Sequence, residues 1–325
     1  MRHEYGPAAG FLWEIEKKLL TRDQWQRAID SSTADEAIRI LGDDYCFNEL
    51  ERVELYEQAL QHKLAETYRQ MYTLSPKPEL VDILNLKYQF HNLKVLVKAS
   101  VSVHANQNSA YALSTVSAIS PEDMVKSDSP NYLREAYSEM ERAYSVNHDP
   151  QTIDIESDSR MFKQMLILCE SLECTFITTY VKTLIDMFNL KLLMRAQRMQ
   201  RDSTFLSNSL QMGGLTDHNQ LLDFYDKPFS EFAAQFAYKY FGDILKQAAD
   251  SYDETIGFST LEKLCDNLLM TLLQRSKYLP IGPEMIFTYI LARENEISRI
   301  RMLLACKVNG IPNDVLCERL RDFYG

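Results

Sequence analysis

The chain has 325 residues, 46% of them apolar, with only 10 Gly and 10 Pro. It can therefore bury a sizeable core, but it is poor in the residues that tight hairpins and phosphate-cradling loops need. Its formal charge is −11, and residues 1–160 carry 17 basic against 26 acidic groups, a net of −9. A generally basic surface is thus excluded, and nucleic acid is not an expected partner.

In chain order, Met1-Arg2-His3-Glu4-Tyr5 lacks the basic-then-apolar pattern of a signal peptide. The first helix start is written at Leu20-Thr21-x-x-Gln24, a full capping box with Leu20 and Trp25 placed as a hydrophobic staple. The acidic stretch that follows includes Asp43, Asp44, Glu49, Glu51 and Glu54 and is a candidate docking surface for a basic partner. A turn at Ser75-Pro76-Lys77-Pro78 leads to the amphipathic octet Asn92-Leu93-Lys94-Val95-Leu96-Val97-Lys98-Ala99, and the polar run Asn106-Gln107-Asn108-Ser109 then breaks the helix.

The same order returns. Ile119-Ser120-Pro121-x-Asp123 offers a hydroxyl N-cap with proline at the first helical position, and Met124 completes a staple with Ile119. Turns at Asp128-Ser129-Pro130 and Asn147-His148-Asp149-Pro150 precede the most apolar stretch, Met165 to Val181, where Glu170 and Glu173 argue against a membrane span. Asn189-Leu190-Lys191-Leu192-Leu193-Met194-Arg195-Ala196 then repeats the octet 97 residues after its first copy.

A third round opens after Gln211-Met212-Gly213-Gly214 with Leu215-Thr216-x-x-Asn219, where Thr216 is the expected N-cap. Phe229, Phe232, Phe236 and Tyr240 are spaced for one face of a helix. Beyond the turn Leu279-Pro280-Ile281-Gly282-Pro283, Arg299-Ile300-Arg301-Met302-Leu303-Leu304-Ala305-Cys306 gives a weaker octet, 110 residues after the second. The sets Phe90/Leu93/Leu96/Val97, Met187/Leu190/Leu193/Met194 and Ile297/Ile300/Leu303/Leu304 each form one apolar stripe, with Lys94, Lys191 and Arg301 on its flank. These signals predict an all-α protein of three similar helical bundles, 1–107, 108–212 and 213–325.

Chemistry is sparse. Neither Gly-x-x-x-x-Gly-Lys-Ser/Thr nor Gly-x-Gly-x-x-Gly occurs, so no nucleotide site is expected. His62 and Glu66 share a helix face, but the histidines are dispersed. The six cysteines (Cys46, Cys169, Cys174, Cys265, Cys306, Cys317) contain no C-x-x-C and read as reduced, cytosolic thiols, with Cys169 and Cys174 taken as small buried hydrophobes. No catalytic, cofactor-binding or metal-binding residue is assigned, and an enzyme is not expected.

The octet with its lead-in, Tyr88-Gln89-Phe90-His91-Asn92-Leu93-Lys94, echoed by Asp186-Met187-Phe188-Asn189-Leu190-Lys191 and by Arg293-Glu294-Asn295-Glu296-Ile297-x-x-Ile300-Arg301, resembles the C subunit of V/A-type rotary ATPases, called the d subunit in the eukaryotic enzyme. Leu19-Leu20-Thr21-x-Asp23 and Gly310-Ile311…Leu320-Arg321-x-Phe323-Tyr324 extend the resemblance to both ends. Asn92 and Asn189 correspond to Arg299, and Lys98 and Arg195 to Ala305 with Lys307 displaced by two, so these positions are not expected to make the same contact three times.

The resemblance implies a funnel-like, pseudo-threefold, non-catalytic socket in the central stalk, peripheral to the membrane on its cytoplasmic face. It would link the shaft (the D and F subunits) to the proteolipid rotor ring and transmit torque for ion transport. The alternative is a helical-repeat scaffold that binds a protein or peptide.

Overall fold

The computed structural model describes residues 2–45, 47, 55–101, 113–250, 257–322 and 324. All regular secondary structure among them is helical. Compactness divides the chain into two units, Met1–Val81 with Asp266–Gly325, and Asp82–Cys265.

In the first unit, a 3-10 turn (Arg2–Tyr5) leads into α1 (Gly6–Glu16), followed by α2 (Arg22–Asp30), α3 (Ala34–Leu41), a second 3-10 turn (Asp43–Tyr45) and α4 (Tyr56–Leu74). The Thr21 capping box forms as expected, its hydroxyl accepting from Gln24 N–H while Gln24 Oε1 accepts from Thr21 N–H. Leu20 and Trp25 are both buried beside it. Two of the four orphan donors of α2 are thus satisfied at its start, which is worth about 1 kcal/mol.

α5 (Glu79–Val101) runs on into the second unit. There it is followed by α6 (Pro121–Met124), α7 (Asn131–Asn147), α8 (Pro150–Leu172), α9 (Thr175–Arg198), α10 (Ser203–Ser209), α11 (His218–Asp223), α12 (Phe229–Gln235) and α13 (Gly242–Asp250). Ser120 caps α6 as predicted, accepting from Asp123 N–H. α7 and α8 end on left-handed residues, His148 (φ 55°) and Glu173 (φ 53°), so each turns sharply into the next helix. α8 packs on both α7 and α9.

α14 (Gly257–Arg275) leads back into the first unit, where a 3-10 turn (Ser276–Tyr278), α15 (Pro283–Val308) and α16 (Asn313–Arg319) complete the chain. α15 is the spine of that unit, contacting α1, α3 and α4. It is buried on nearly every face, so it carries Arg293, Glu296 and Arg299 inside the core, where polar groups must find partners.

The apolar stripes are where the sequence puts them. Eleven of the twelve stripe residues are buried, and Leu96 is half-buried. Each buried stripe residue contributes on the order of 2 kcal/mol by leaving water.

Two local expectations are corrected. The third cap is Asp217, which accepts from Asn219 N–H, while the Thr216 hydroxyl is taken by Asp186. The aromatic helix α12 stops at Gln235, so Phe229, Phe232 and Phe236 are core but Tyr240 lies beyond it, 44% exposed.

Candidate functional site

The three octet helices α5, α9 and α15 each carry a polar residue three positions before the octet: Gln89, Asp186 and Glu296. All three are buried, and each accepts a hydrogen bond from a tyrosine hydroxyl. Tyr132 donates to Gln89 Oε1 at 2.5 Å, Tyr240 to Asp186 Oδ2 at 2.9 Å, and Tyr45 to Glu296 Oε1. The same three helices also hold the backbone where the next capped start begins. Ala118 N–H donates to Asn85 Oδ1 of α5 (2.8 Å), Thr216 N–H to Asp186 Oδ1 of α9 (3.2 Å), and Leu20 N–H to Glu296 Oε2 of α15 (2.6 Å). The contacts therefore run from the first octet to the second start, from the second octet to the third start, and from the third octet back to the first.

Two of the junctions match atom for atom. Asn92 Nδ2 donates to Ser114 O (2.9 Å) and its Oδ1 accepts Ser114 N–H (2.6 Å); Asn189 does the same with Gln211, at 2.8 and 2.7 Å. Both partners lie 22 residues downstream. A side-chain amide is the group that can satisfy one peptide N–H and one C=O at once. Gly213 (φ 93°) and Gly214 make the second loop feasible, since a Cβ on Gly214 would stand 2.0 Å from Asp186 Oδ1. At the third junction Arg299 instead lies over the Trp25 ring, 4.4 Å from its centroid, and burial lowers its pKa to about 10.

A second set of contacts is ionic. Lys98 and Lys94 reach Asp154 of α8 at 2.7 and 3.4 Å, Arg195 reaches Glu262 of α14 at 3.3 Å, and Arg301 grips Glu57 of α4 with two bonds of 2.7 and 2.9 Å. In each case the cation sits on an octet helix and the acid near the start of a long helix later in that cyclic order. The displaced Lys307 does something else, donating to Ile29 O (2.7 Å), Ser31 O and Asn313 Oδ1 around the end of α2.

The third junction is the most charged. Burial raises the Glu296 pKa, opposed by Arg293 at 2.7 Å, by Tyr45 and by the Leu20 N–H. Burial would depress Arg293, but Tyr45, Glu296 and Tyr289 outweigh it and hold the guanidinium charged. Asp44 is 3.0 Å from both Arg293 and Lys63, so its charge is engaged by cations of its own unit. Glu49, Glu51, Glu54 and Cys46 lie outside the described residues, as does the side chain of Asp43.

The groups that could suggest chemistry are otherwise engaged. Glu66 accepts from Lys63 at 3.3 Å and His62 is exposed. Cys169 is buried, and that burial, with Cys174 beside it, pushes its thiol up to about 12, far from a nucleophile. Among the described residues, no group of three His, Cys, Asp or Glu is placed to hold a metal ion, and no helix is long and apolar enough to cross a membrane.

Residues 14–319 match the family model described as ATP synthase (C/AC39) subunit. The chain belongs to this family. It is 24% identical to the C subunit of the V-type sodium ATPase of Enterococcus hirae, with 95% of each chain covered. It is 22% identical to the C subunit of the A-type ATP synthase of Thermococcus kodakarensis, covering 94% of this chain and 87% of that one, and equally so to that of a Desulfurococcus species, covering 96% and 88%. Family membership makes it an accessory component of a V/A-type rotary ATPase, which is a membrane-associated complex. The buried Gln89/Asp186/Glu296 series stood in the very lead-ins that carry the resemblance. A polar residue at one fixed register of three apolar helices was the signal for it.

Proposed function

We propose that this family member is the non-catalytic socket of the central stalk, three like helical bundles closed around an axis in a funnel that receives the shaft (the D and F subunits) and seats on the proteolipid rotor ring. The observation that carries this reading is the cyclic order of the junctions, in which the last octet helix engages the first capped start through Glu296 and Leu20. Each octet helix engages the next capped start and the third engages the first, the order of contacts that a closed collar requires. The bundles 1–107, 108–212 and 213–325 are then sequence repeats, and each structural repeat combines an octet helix with the start of the following one.

Torque transmission asks for stiffness. Buried stripes and ion pairs at all three junctions, with amide clamps at two of them, support it, because packed interiors transmit strain with little give. Nothing in this role needs a catalytic residue, and the carboxylates at the junctions are all occupied by hydrogen bonds within the chain.

The test is removal and replacement of the chain in its rotary ATPase. Without it, the catalytic head with its shaft should separate from the rotor ring on purification, and adding the chain back should rejoin them and restore ATP-driven ion transport. Head, shaft and ring that stay joined and coupled without the chain would overturn the reading.

A further inference from the structure

A cavity of about 210 Å³ opens on the first unit between the end of α1, the Ser276–Tyr278 turn, the start of α15 and Tyr324. Its floor hydroxyls are satisfied, Thr288 donating to Ser276 Oγ (2.8 Å) and Ser276 to Leu273 O (2.7 Å). Its carboxylate is not. Glu16 is half-buried in the lining, yet among the described residues its side chain accepts no hydrogen bond and makes no ion pair. The cation that shares the lining, Lys277, is turned to Tyr324, donating to its backbone O at 2.8 Å and lying 4.2 Å from the centre of its ring. Burial accordingly raises the Glu16 pKa, with Lys277 only partly offsetting it. Around the mouth stand Trp13 (55% exposed), Leu279 (40%) and Ile281 (38%), next to Tyr278 (90%).

A carboxylate in a partly desolvated pocket, only partly offset by Lys277, remains costly until a second cation joins it. An indole at the rim adds attraction for that cation, and a pocket beside exposed aromatic side chains is the kind of place where an Arg anchor of a protein–protein contact is seated. A phosphate-bearing lipid headgroup would instead meet the Glu16 charge head-on.

We infer that this cavity anchors an arginine or lysine side chain presented on an apolar segment of another protein of the rotary complex. The inference rests on the chain's working inside that complex, and adds a defined point of attachment to it.

The test uses the full chain in the assembled complex, with Trp13, and separately Tyr278, replaced by the photo-crosslinker p-benzoylphenylalanine, and the adducts sequenced by mass spectrometry. Both positions should cross-link to one segment of a different protein of the complex with Arg or Lys within about one helical turn. Glu16→Lys should lower the yield roughly tenfold, Glu16→Gln less, and changing the contacted basic residue to Glu should restore it in the Glu16→Lys background. Adducts to lipid, to a second copy of this chain or to a segment without a basic residue, no adduct in an assembled complex, or a yield indifferent to Glu16→Lys would each overturn the inference while leaving the socket role standing. A chain that never co-purifies with the rotary complex would sink both.

Discussion

Asn92→Ala and Asn189→Ala remove the same two hydrogen bonds from two matched loops within one compact unit, but they should not cost the same. Each substitution orphans one peptide N–H and one C=O, and an unsatisfied buried group costs about 1–3 kcal/mol. Gln211 is only 4% exposed, so no water reaches its peptide, and Asn189→Ala should cost about 3 kcal/mol. Ser114 is half-buried, so water replaces part of what Asn92 supplied, and the loss should be about half as large. At about 2–4 °C per kcal/mol for a unit of this size, the melting temperature should fall by roughly 6–12 °C for Asn189→Ala and about half that for Asn92→Ala. Differential scanning calorimetry with urea unfolding as a check reads both. Equal losses, or a larger one at Asn92, would refute the argument that exposure of the clamped peptide sets the cost.

Three further outcomes are expected. Arg301→Glu should cost up to about 1 kcal/mol, because the pair with Glu57 is roughly 40% exposed, and the double exchange with Glu57→Arg should recover most of it in a double-mutant cycle. Gly214→Ala should destabilise by about 2 kcal/mol or more, since the new methyl would displace Asp186 from Thr216; a neutral result by urea unfolding would mean that the loop can shift freely. Burial raises the Asp186 pKa, opposed by its bonds from Thr216 and Tyr240, so the folded state holds that proton to higher pH than the unfolded chain does. Stability from this group is therefore lost as pH rises from the unfolded value through the folded one, and the stability of Asp186→Asn relative to the parent should rise from mild acid to neutral pH. A relative stability that falls over that range would contradict the direction of the shift.

Much of the helical order was legible in the sequence because its causes are local. The hydroxyl of Thr21 and the amide of Gln24 are three residues apart, so the capping box is complete before any tertiary contact forms. The stripes of α9 and α15 follow from a period of 3.6 residues, which a chain displays whatever it packs against. Thr216 misled because a hydroxyl beside an aspartate can serve either as a cap or as a partner for something distant, and Asp186 lies 30 residues away.

The sequence by itself determined that the chain is helical, which faces of its helices are apolar, and that one octet recurs three times. Tertiary structure decided what the recurrence makes contact with: which tyrosine reaches each buried acceptor, which acids meet Lys94, Arg195 and Arg301, and that the series returns from Glu296 to Leu20 across 276 residues. The division has one physical cause. Propensity, capping and amphipathic period act within a turn or two of helix, whereas the partner of a buried polar group is chosen by whichever part of the chain can exclude water around it.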